Sequence, residues 1–220
     1  EKCPDALIVF DHFHIVKNFN EHVIAAVRKD EQKRLLEAGN KEGAASLKRT
    51  RYILTASRST LEKRDRQAEN GEKVREGSKL FHTEDIYRKG GHVSKYDALL
   101  QENKLFFTAD LVKAKLDEAY ETENLPTMRE RIVEIIKLCC ETANARFIWF
   151  ADLLYKHLEG ILAHAVMPIS SGKVEGVNNK IKTVRRRAYG YPDDEYFFLK
   201  LFDYSRTVYV ANPLSHRICD

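Results

Sequence analysis

The chain has 220 residues, of which 43% are hydrophobic and 32% charged, and a formal net charge of +4. This apolar content is enough for a sizeable core in one large domain or two small ones, and such mild basicity indicates no particular partner. No apolar run reaches the length of a membrane span, and residues 6–10 are too short for a signal-peptide core. We therefore expect a cytoplasmic protein with no membrane partner.

The first predicted element is a strand. Residues 6–10 form a continuous apolar run that ends at Asp11, as is typical of a strand buried on both faces of a parallel sheet. No later segment gives an equally convincing strand, and one strand cannot satisfy its own backbone hydrogen bonds. The chain also starts at Glu1 without an initiator methionine. We expect a fragment whose sheet partners lie upstream.

Asp11 directly follows this strand. Ligands in open α/β sheets gather at the carboxyl ends of strands, which favours a functional role for Asp11. Alternatively, Asp11 only caps the helix that the apolar spacing predicts for residues 12–29. His12 and His14 flank the same point and could bind a transition metal with Asp11, although packing or contact with DNA is favoured without a further ligand.

The middle of the chain is rich in Lys, Arg and Glu. Helical stretches are predicted for residues 31–38 and 44–56, and the alternating charges of 61–80 indicate an exposed helix or a hairpin. Gly90 and Gly91 predict a loop over 88–95. The four cysteines lack a paired metal-ligand spacing and are interpreted as reduced thiols, with two of them partly in the core: Cys3, Cys139, Cys140 and Cys219.

Three further helices are predicted to pack as a bundle. They cover residues 108–124, a segment opened by Pro126 with a capping-box spacing from Thr127 to Glu130, and residues 145–163. Their inward apolar residues are predicted to be Leu111, Val112, Leu116, Ala119 and Tyr120, then Ile132, Ile135, Ile136 and Cys139, then Ile148, Ala151, Leu154, Leu158, Ile161 and Leu162.

Residues 169–192 predict an amphipathic helix. Ser170 or Ser171 can cap it, Gly190 and Pro192 can end it, and an apolar stripe runs along it: Val174, Val177, Ile181, Val184 and Ala188. The opposite side then carries Glu175, Asn178, Asn179, Lys182 and Arg186. A last helix, capped by Asp193 or Asp194, has Phe197, Leu201 and Tyr204 on its inner side.

This polar face has two interpretations. It can be a solvated surface with one glutamate, or a functional face on which the helix macrodipole keeps Glu175 ionised and able to hold a hard cation. The adjacent asparagines and the cations that follow Glu175, which suit a phosphate backbone, favour function. The pattern alone gives both interpretations equal weight.

Three segments resemble one protein family. They are Phe-Asp-His-Phe-His-Ile-Val-Lys at 10–17, Leu-Asp-Glu-Ala-Tyr at 116–120 and, most strongly, residues 172–191, which begin Gly-Lys-Val-Glu-Gly-Val-Asn-Asn. Together they resemble the C-terminal part of an ISL3-family insertion-sequence transposase, over nearly the whole chain and in the right order. Members of this family are similar to other DDE transposases, which have a ribonuclease-H-like core with a helical insertion.

The resemblance implies a mainly α fold with a partial ribonuclease-H-like α/β core. Residues 1–28 would supply a strand and a helix of that core, 29–165 an all-helical insertion, and 166–220 the C-terminal helices of the core. Asp11 would be the second catalytic carboxylate and Glu175 the third. The first catalytic Asp would lie on an earlier strand upstream, with the zinc-finger and helix-turn-helix region. Asp5 is a poor substitute for it, because Asp5 precedes the predicted strand and does not end one. We therefore expect this chain alone to be inactive.

The resemblance also implies cofactors and partners. Two Mg²⁺ or Mn²⁺ ions in the intact protein, held in part by Asp11 and Glu175, would activate water or a 3′-hydroxyl for attack on a DNA phosphodiester. Insertion-sequence ends and target DNA would be bound by a homo-oligomer. DNA contacts are implied for Lys173, Asn178, Lys182, Arg185, Arg186 and Arg187, with His14 and Asn179 in support.

Two alternatives stay open. Asn178 either orients Glu175 or a metal-bound water, or it satisfies a buried backbone group. The whole chain, in turn, could be a non-catalytic helical module that binds DNA or another protomer. The missing first Asp and the long charged helices suggest this second function.

Overall fold

A computed structural model of the chain contains two compact units, Glu1–Ile169 and Ser170–Asp220. The structure describes residues 7–75, 84–169, 172–187 and 193–206. These residues are almost all helical, with one short two-stranded sheet, which confirms the predicted mainly α class. Within these ranges, none of the helices combines the length and the apolar character needed to cross a membrane.

One long helix opens the first unit. It consists of α1 (His12–Phe19), a π-helical turn (Asn20–Ile24) and α2 (Ala25–Glu37), so the helix predicted for 12–29 is confirmed and extends further. A π turn holds one extra residue, which rotates the helix surface that follows it. Val23 and Ile24, which are consecutive, are consequently both buried, at 0% and 1% exposure.

Short helices and a hairpin follow. They are α3 (Lys41–Ser46), α4 (Arg51–Thr55), α5 (Arg58–Glu69), an antiparallel pair of β1 (Lys73–Arg75) and β2 (Ile86–Tyr87), and α6 (His92–Glu102). The predicted loop over 88–95 is wrong from residue 92 onward. Gly91, at a φ of 80°, ends the loop, and Asp65 accepts hydrogen bonds from the first two backbone N–H groups of α6.

The bundle was predicted to have three helices, and in the structure this part of the chain forms four. They are α7 (Lys104–Tyr120), α8 (Leu125–Glu141), α9 (Ala145–Lys156) and α10 (Leu158–Val166). The prediction of a capping box that starts at Thr127 is wrong. Asn124 is the N-cap of α8, and its Oδ1 accepts a hydrogen bond from Thr127 N at 3.0 Å. The helix predicted for 145–163 is interrupted at His157. Leu111 and Ile148, predicted to face inward, lie at the edge of the apolar stripe and are 38% and 45% exposed.

The N-terminal helix and the bundle share one hydrophobic core. Phe19 of α1 packs against Phe150 of α9, with ring centroids 4.7 Å apart, and against Phe147 at 6.1 Å. All three rings are completely buried. Burying each such side chain contributes about 1.5–3 kcal/mol, so the position of the N-terminal helix is fixed by the bundle.

Residues 7–10 do not form the predicted strand. Leu7 and Ile8 are 60% and 67% exposed, and in the described ranges no strand lies beside them to supply a sheet. Instead, the N–H of Phe10 donates to the carbonyl of Gly160 at 3.0 Å. Backbone groups of an extended segment need partners, and here α10 supplies one. Ala6 lies outside the described residues.

The second unit contains α11 (Gly172–Arg187) and α12 (Asp194–Arg206), which confirms both predicted helices. Asp193 caps α12 by accepting from Glu195 N at 2.8 Å. Val184 and Phe197 are buried, whereas Val177 of the predicted stripe is 57% exposed and lines a groove of about 630 Å³ between the two helices. Ser170, Ser171, Ala188, Gly190 and Pro192, predicted for the helix ends and the stripe, lie outside the described residues.

Candidate active site and nucleic-acid interface

Asp11 is the N-cap of α1. Its φ and ψ of −77° and 157° are extended, and its Oδ1 accepts from the backbone N of His14 at 3.1 Å. The capping interpretation of Asp11 is thus confirmed. Capping leaves a functional role open, because Asp11 is only 8% exposed and carboxylates are rarely buried without a specific reason.

Two of the segments that resemble transposases are in contact around Asp11. His12 Nε2 lies 2.9 Å from Asp117 Oδ1, at ion-pair distance although without hydrogen-bond alignment. Tyr120 donates its hydroxyl to the carbonyl of Phe10 at 3.3 Å, and its ring lies 5.0 Å from that of His12. Segments 10–17 and 116–120, about a hundred residues apart in sequence, therefore form one site.

Tyr120 and His164 are two neutral groups close enough to Asp11 to be influenced by its charge. Burial raises the pKa of Tyr120, and the negative charge of Asp11 raises it further. The ring of His164 lies 4.9 Å from that of Tyr120. Burial lowers the pKa of His164. The charge of Asp11 raises this pKa and His12 lowers it, and the net result is a lowered pKa. Both side chains are consequently uncharged at pH 7.

Sequence reasoning missed Tyr120 and His164 as site residues. Tyr120 had a signal, since it ends the segment 116–120, but its helical spacing indicated only a core residue. His164 had none, because a single histidine in an apolar helix normally indicates packing.

The predicted supporting residue His14 contacts Asp11 through its backbone N–H, and its exposed ring lies 5.4 Å from that of Phe13. The described ranges contain no group of three His, Cys, Asp or Glu side chains that could hold a metal ion. Packing by His12, the other interpretation of this residue, is supported by its ring contact with Tyr120.

In the second unit, Glu175 lies half-buried in the first turn of α11. The exposed side of the same helix carries Asn178, Asn179, Lys182 and Arg186. Asn178 is exposed on this side. The helix thus joins one carboxylate at its positive end to amides and cations in the turns that follow.

Arg185 differs from the other predicted DNA contacts. Its guanidinium lies 5.6 Å above the ring of Phe197 in α12, a cation–π arrangement that fixes its direction while the side chain remains exposed. The side chains of Lys173 and Arg187, also predicted to contact DNA, lie outside the described residues.

The donor chemistry of Asp11 and Glu175 suits Mg²⁺ or Mn²⁺. Both are carboxylates, the hard oxygen ligands that these ions prefer, and Mg²⁺ needs few protein groups because it keeps several waters. The hydrogen bond from His14 N restricts the orientation of the Asp11 carboxylate. Asp11 belongs to the first unit and Glu175 to the second.

Most of the chain matches one protein family. The family model for DDE transposases of the ISL3 type, described as "Transposase", matches residues 1–201. The chain belongs to the ISL3 transposase family. The matched part of this ISL3-family chain includes both Asp11 and Glu175.

A curated relative agrees with the ISL3 assignment. The chain is 30% identical over 198 residues to the transposase for insertion sequence element IS1001 from Bordetella parapertussis. The alignment covers 90% of this chain and 42% of that transposase, so the chain spans less than half the length of the curated relative it matches. No solved structure matches this ISL3-family chain.

Proposed function

We propose that this chain carries the second and third catalytic carboxylates of a DDE transposase, Asp11 and Glu175. The intact protein cleaves the ends of an insertion sequence and joins them to target DNA, as a homo-oligomer in the bacterial cytoplasm. The observation that carries the proposal is the burial of Asp11 at the place where two segments of the family match contact each other. The ribonuclease-H-like core and the division at residues 28 and 165 are part of the same proposal.

Each group has a role in this mechanism. Asp11 and Glu175 hold Mg²⁺ or Mn²⁺, and the bound ions supply the activation of a water or 3′-hydroxyl in strand cleavage and transfer. Lys182 and Arg186, exposed on α11, bind the phosphate backbone whatever its sequence. Asn178 and Asn179, exposed on the same helix, orient Glu175 or bind DNA beside it.

The test uses the intact transposase that contains this chain, with Asp11→Asn and Glu175→Gln. Both variants keep the size of the side chain and remove its charge. Asp152→Asn is the matched control for the first, because Asp152 is exposed and pairs only locally with Lys156. Glu195→Gln is the control for the second, because Glu195 also lies in the first turn of a helix, α12.

We expect Asp11→Asn and Glu175→Gln each to reduce Mg²⁺-dependent cleavage of a DNA duplex with insertion-sequence ends at least a thousandfold, roughly 4 kcal/mol of transition-state stabilisation. Both variants should still bind that duplex. The two controls should cleave at the wild-type rate. Cleavage that persists in both carboxylate variants would refute the catalytic role.

The exposed cations of α11 favour one other function, a non-catalytic module that binds DNA. This second function predicts DNA binding by the intact protein without metal-dependent cleavage. The same assay separates the two, since a wild-type protein that binds the duplex and never cuts it supports the non-catalytic module.

A further inference from the structure

The carboxylate of Asp11 is attached to a backbone segment that no sheet holds. Residues 7–10 form no helix or strand, and in the described part of the chain no strand pairs with them. A catalytic carboxylate must keep its position to within about half an ångström to be effective. Another part of the fold must therefore hold the main chain next to Asp11.

Phe10 makes the contacts that meet this need. Its N–H donates to the carbonyl of Gly160 in α10 at 3.0 Å, and its carbonyl accepts from the Tyr120 hydroxyl of α7 at 3.3 Å. The Phe10 ring also packs against the ring of His157, with centroids 4.8 Å apart. The N–H and the carbonyl of Phe10, which belong to the two peptide units on either side of its Cα, are thus both bound by the helical bundle.

Gly160 is required for this approach. A Cβ atom at position 160 would lie 2.7 Å from the ring of Phe10 and 3.1 Å from the carbonyl oxygen of Ile8. The first distance is well inside van der Waals contact, and the Phe10 ring is held by His157. Any larger residue would therefore displace the segment that leads to Asp11.

Tyr120 is itself held firmly. Its ring lies between those of His12 and His164, at centroid distances of 5.0 and 4.9 Å, and its side chain is 9% exposed. Burial raises its pKa, so the hydroxyl keeps its proton and acts as a donor at neutral pH. A buried donor with a fixed ring defines the position of its acceptor.

We infer that Tyr120 and Gly160 are positioning residues, which hold the main chain of Phe10 and thereby the carboxylate of Asp11. The inference rests on the proposed catalytic role of Asp11. Neither residue needs to touch DNA or metal, because each acts through Phe10. The bundle that the sequence assigns to an insertion consequently takes part in building the metal site.

The test compares three variants of the intact transposase, Tyr120→Phe, Gly160→Ala and Tyr155→Phe. Tyr120→Phe removes one hydroxyl and keeps the ring. Tyr155→Phe is the matched control, because Tyr155 is 70% exposed on α9. Mn²⁺ binding is measured by electron paramagnetic resonance of the free ion. DNA cleavage is measured as a function of Mn²⁺ concentration, and the stability of each variant is measured as the midpoint of thermal unfolding. Asp11→Asn is measured beside them.

We expect the Mn²⁺ dissociation constant to rise about tenfold in Tyr120→Phe and at least as much in Gly160→Ala. Saturating Mn²⁺ should restore most of the cleavage in Tyr120→Phe, and Tyr155→Phe should match the wild type. A purely structural role of Tyr120 would lower the thermal midpoint and leave the Mn²⁺ dissociation constant unchanged, which would overturn the inference.

Asp11→Asn separates this inference from the proposed function. If Asp11→Asn binds Mn²⁺ and cleaves DNA like the wild type, the proposed function fails. If Asp11→Asn loses both activities while Tyr120→Phe behaves like Tyr155→Phe, only the positioning inference fails.

Discussion

Asp65 Oδ1 lies 2.9 Å from the backbone N and 2.7 Å from the ring Nδ1 of His92, which joins the middle of α5 to the start of α6. The other oxygen of Asp65 accepts from Val93 N at 2.9 Å. An ionised carboxylate can only accept, so His92 Nδ1 carries a proton in this arrangement. Asp65 thereby joins α5 to α6, the two helices between which β1 and β2 lie in sequence.

Replacing Asp65 by Asn should destabilise the fold in a pH-dependent manner. Burial raises the pKa of Asp65, but the hydrogen bonds from Val93 and His92 outweigh it, so the net pKa lies below the usual range. The charged form is thus preferred in the folded state. Its contribution is complete above the unfolded value of about 4 and disappears as the pH falls through the lower folded value.

We expect Asp65→Asn to cost about 1 to 2 kcal/mol at pH 7, measured by urea denaturation, with the difference from wild type shrinking below pH 4. Asp152→Asn, which removes an exposed pairing with Lys156, should cost less than about 0.5 kcal/mol. A pH-independent loss in Asp65→Asn would show that shape, and not charge, explains the effect.

Lys113 should contribute to stability through the backbone of another helix. Its Nζ donates to the carbonyls of Leu54 and Ala56, at 3.0 and 3.2 Å, at the C-terminal end of α4, and its side chain is 12% exposed. Lys113→Met keeps the length of the side chain and removes the donor. We expect a loss of about 1 to 3 kcal/mol in urea denaturation, because two partly buried carbonyls lose their charged donor.

Lys115→Met is the control on the same helix. Lys115 Nζ lies 3.0 Å from the exposed Glu134, and such pairs contribute less than about 1 kcal/mol. Equal losses in the Lys113 and Lys115 variants would contradict the role given to the α4 carbonyls.

The adjacent cysteines should differ in reactivity. Burial raises the pKa of Cys139 to about 12, with a smaller contribution from Cys140, whereas Cys140 is exposed. The thiolate is the reactive form. We expect iodoacetamide at pH 8 to label Cys140 in the native protein and Cys139 only after unfolding in guanidinium, as read by peptide mass mapping. Fast native labelling of Cys139 in Cys140→Ser would show that this region opens readily.

The cations of α11 should determine the salt dependence of DNA binding. If Lys182 and Arg186 each neutralise one phosphate, Lys182→Gln with Arg186→Gln reduces the slope of log K against log salt by about 1.8. The measurement is fluorescence anisotropy with duplexes of unrelated sequence, which should all be affected alike. Lys137→Gln, exposed on α8, is the control and should leave the slope unchanged. An unchanged slope in the double variant would remove α11 from the DNA interface.

The helices could be predicted because helical contacts are local. Phe19, Val23 and Val27 recur at helical spacing, and all three are buried in the N-terminal helix. Glu175 and Lys182 lie on the same side of α11 because their spacing of seven residues is about two helical turns. Some helix ends were predicted wrongly because two nearby residues could both act as the N-cap. At the start of α8, for example, Asn124 and not Thr127 is the N-cap.

The surroundings of Asp11 could not be predicted, because they depend on contacts between distant parts of the sequence. An apolar run such as residues 6–10 becomes a strand only when another strand lies beside it, and its own sequence does not specify that neighbour. Similarly, nothing local indicates that Tyr120 donates to the carbonyl of Phe10. The candidate carboxylate was therefore predictable, whereas Tyr120, Gly160 and His164 around it were not.

The hydrogen bond between Phe10 and Gly160 also has a consequence for biosynthesis. It joins two residues 150 positions apart, and a ribosome makes roughly 5 to 20 residues per second. The Asp11 segment thus leaves the ribosome many seconds before α10 exists to receive it. A nascent chain interrupted before α10 contains Asp11 but lacks the carbonyl of Gly160 that binds Phe10. The order of translation therefore delays the assembly of the site until the bundle is complete.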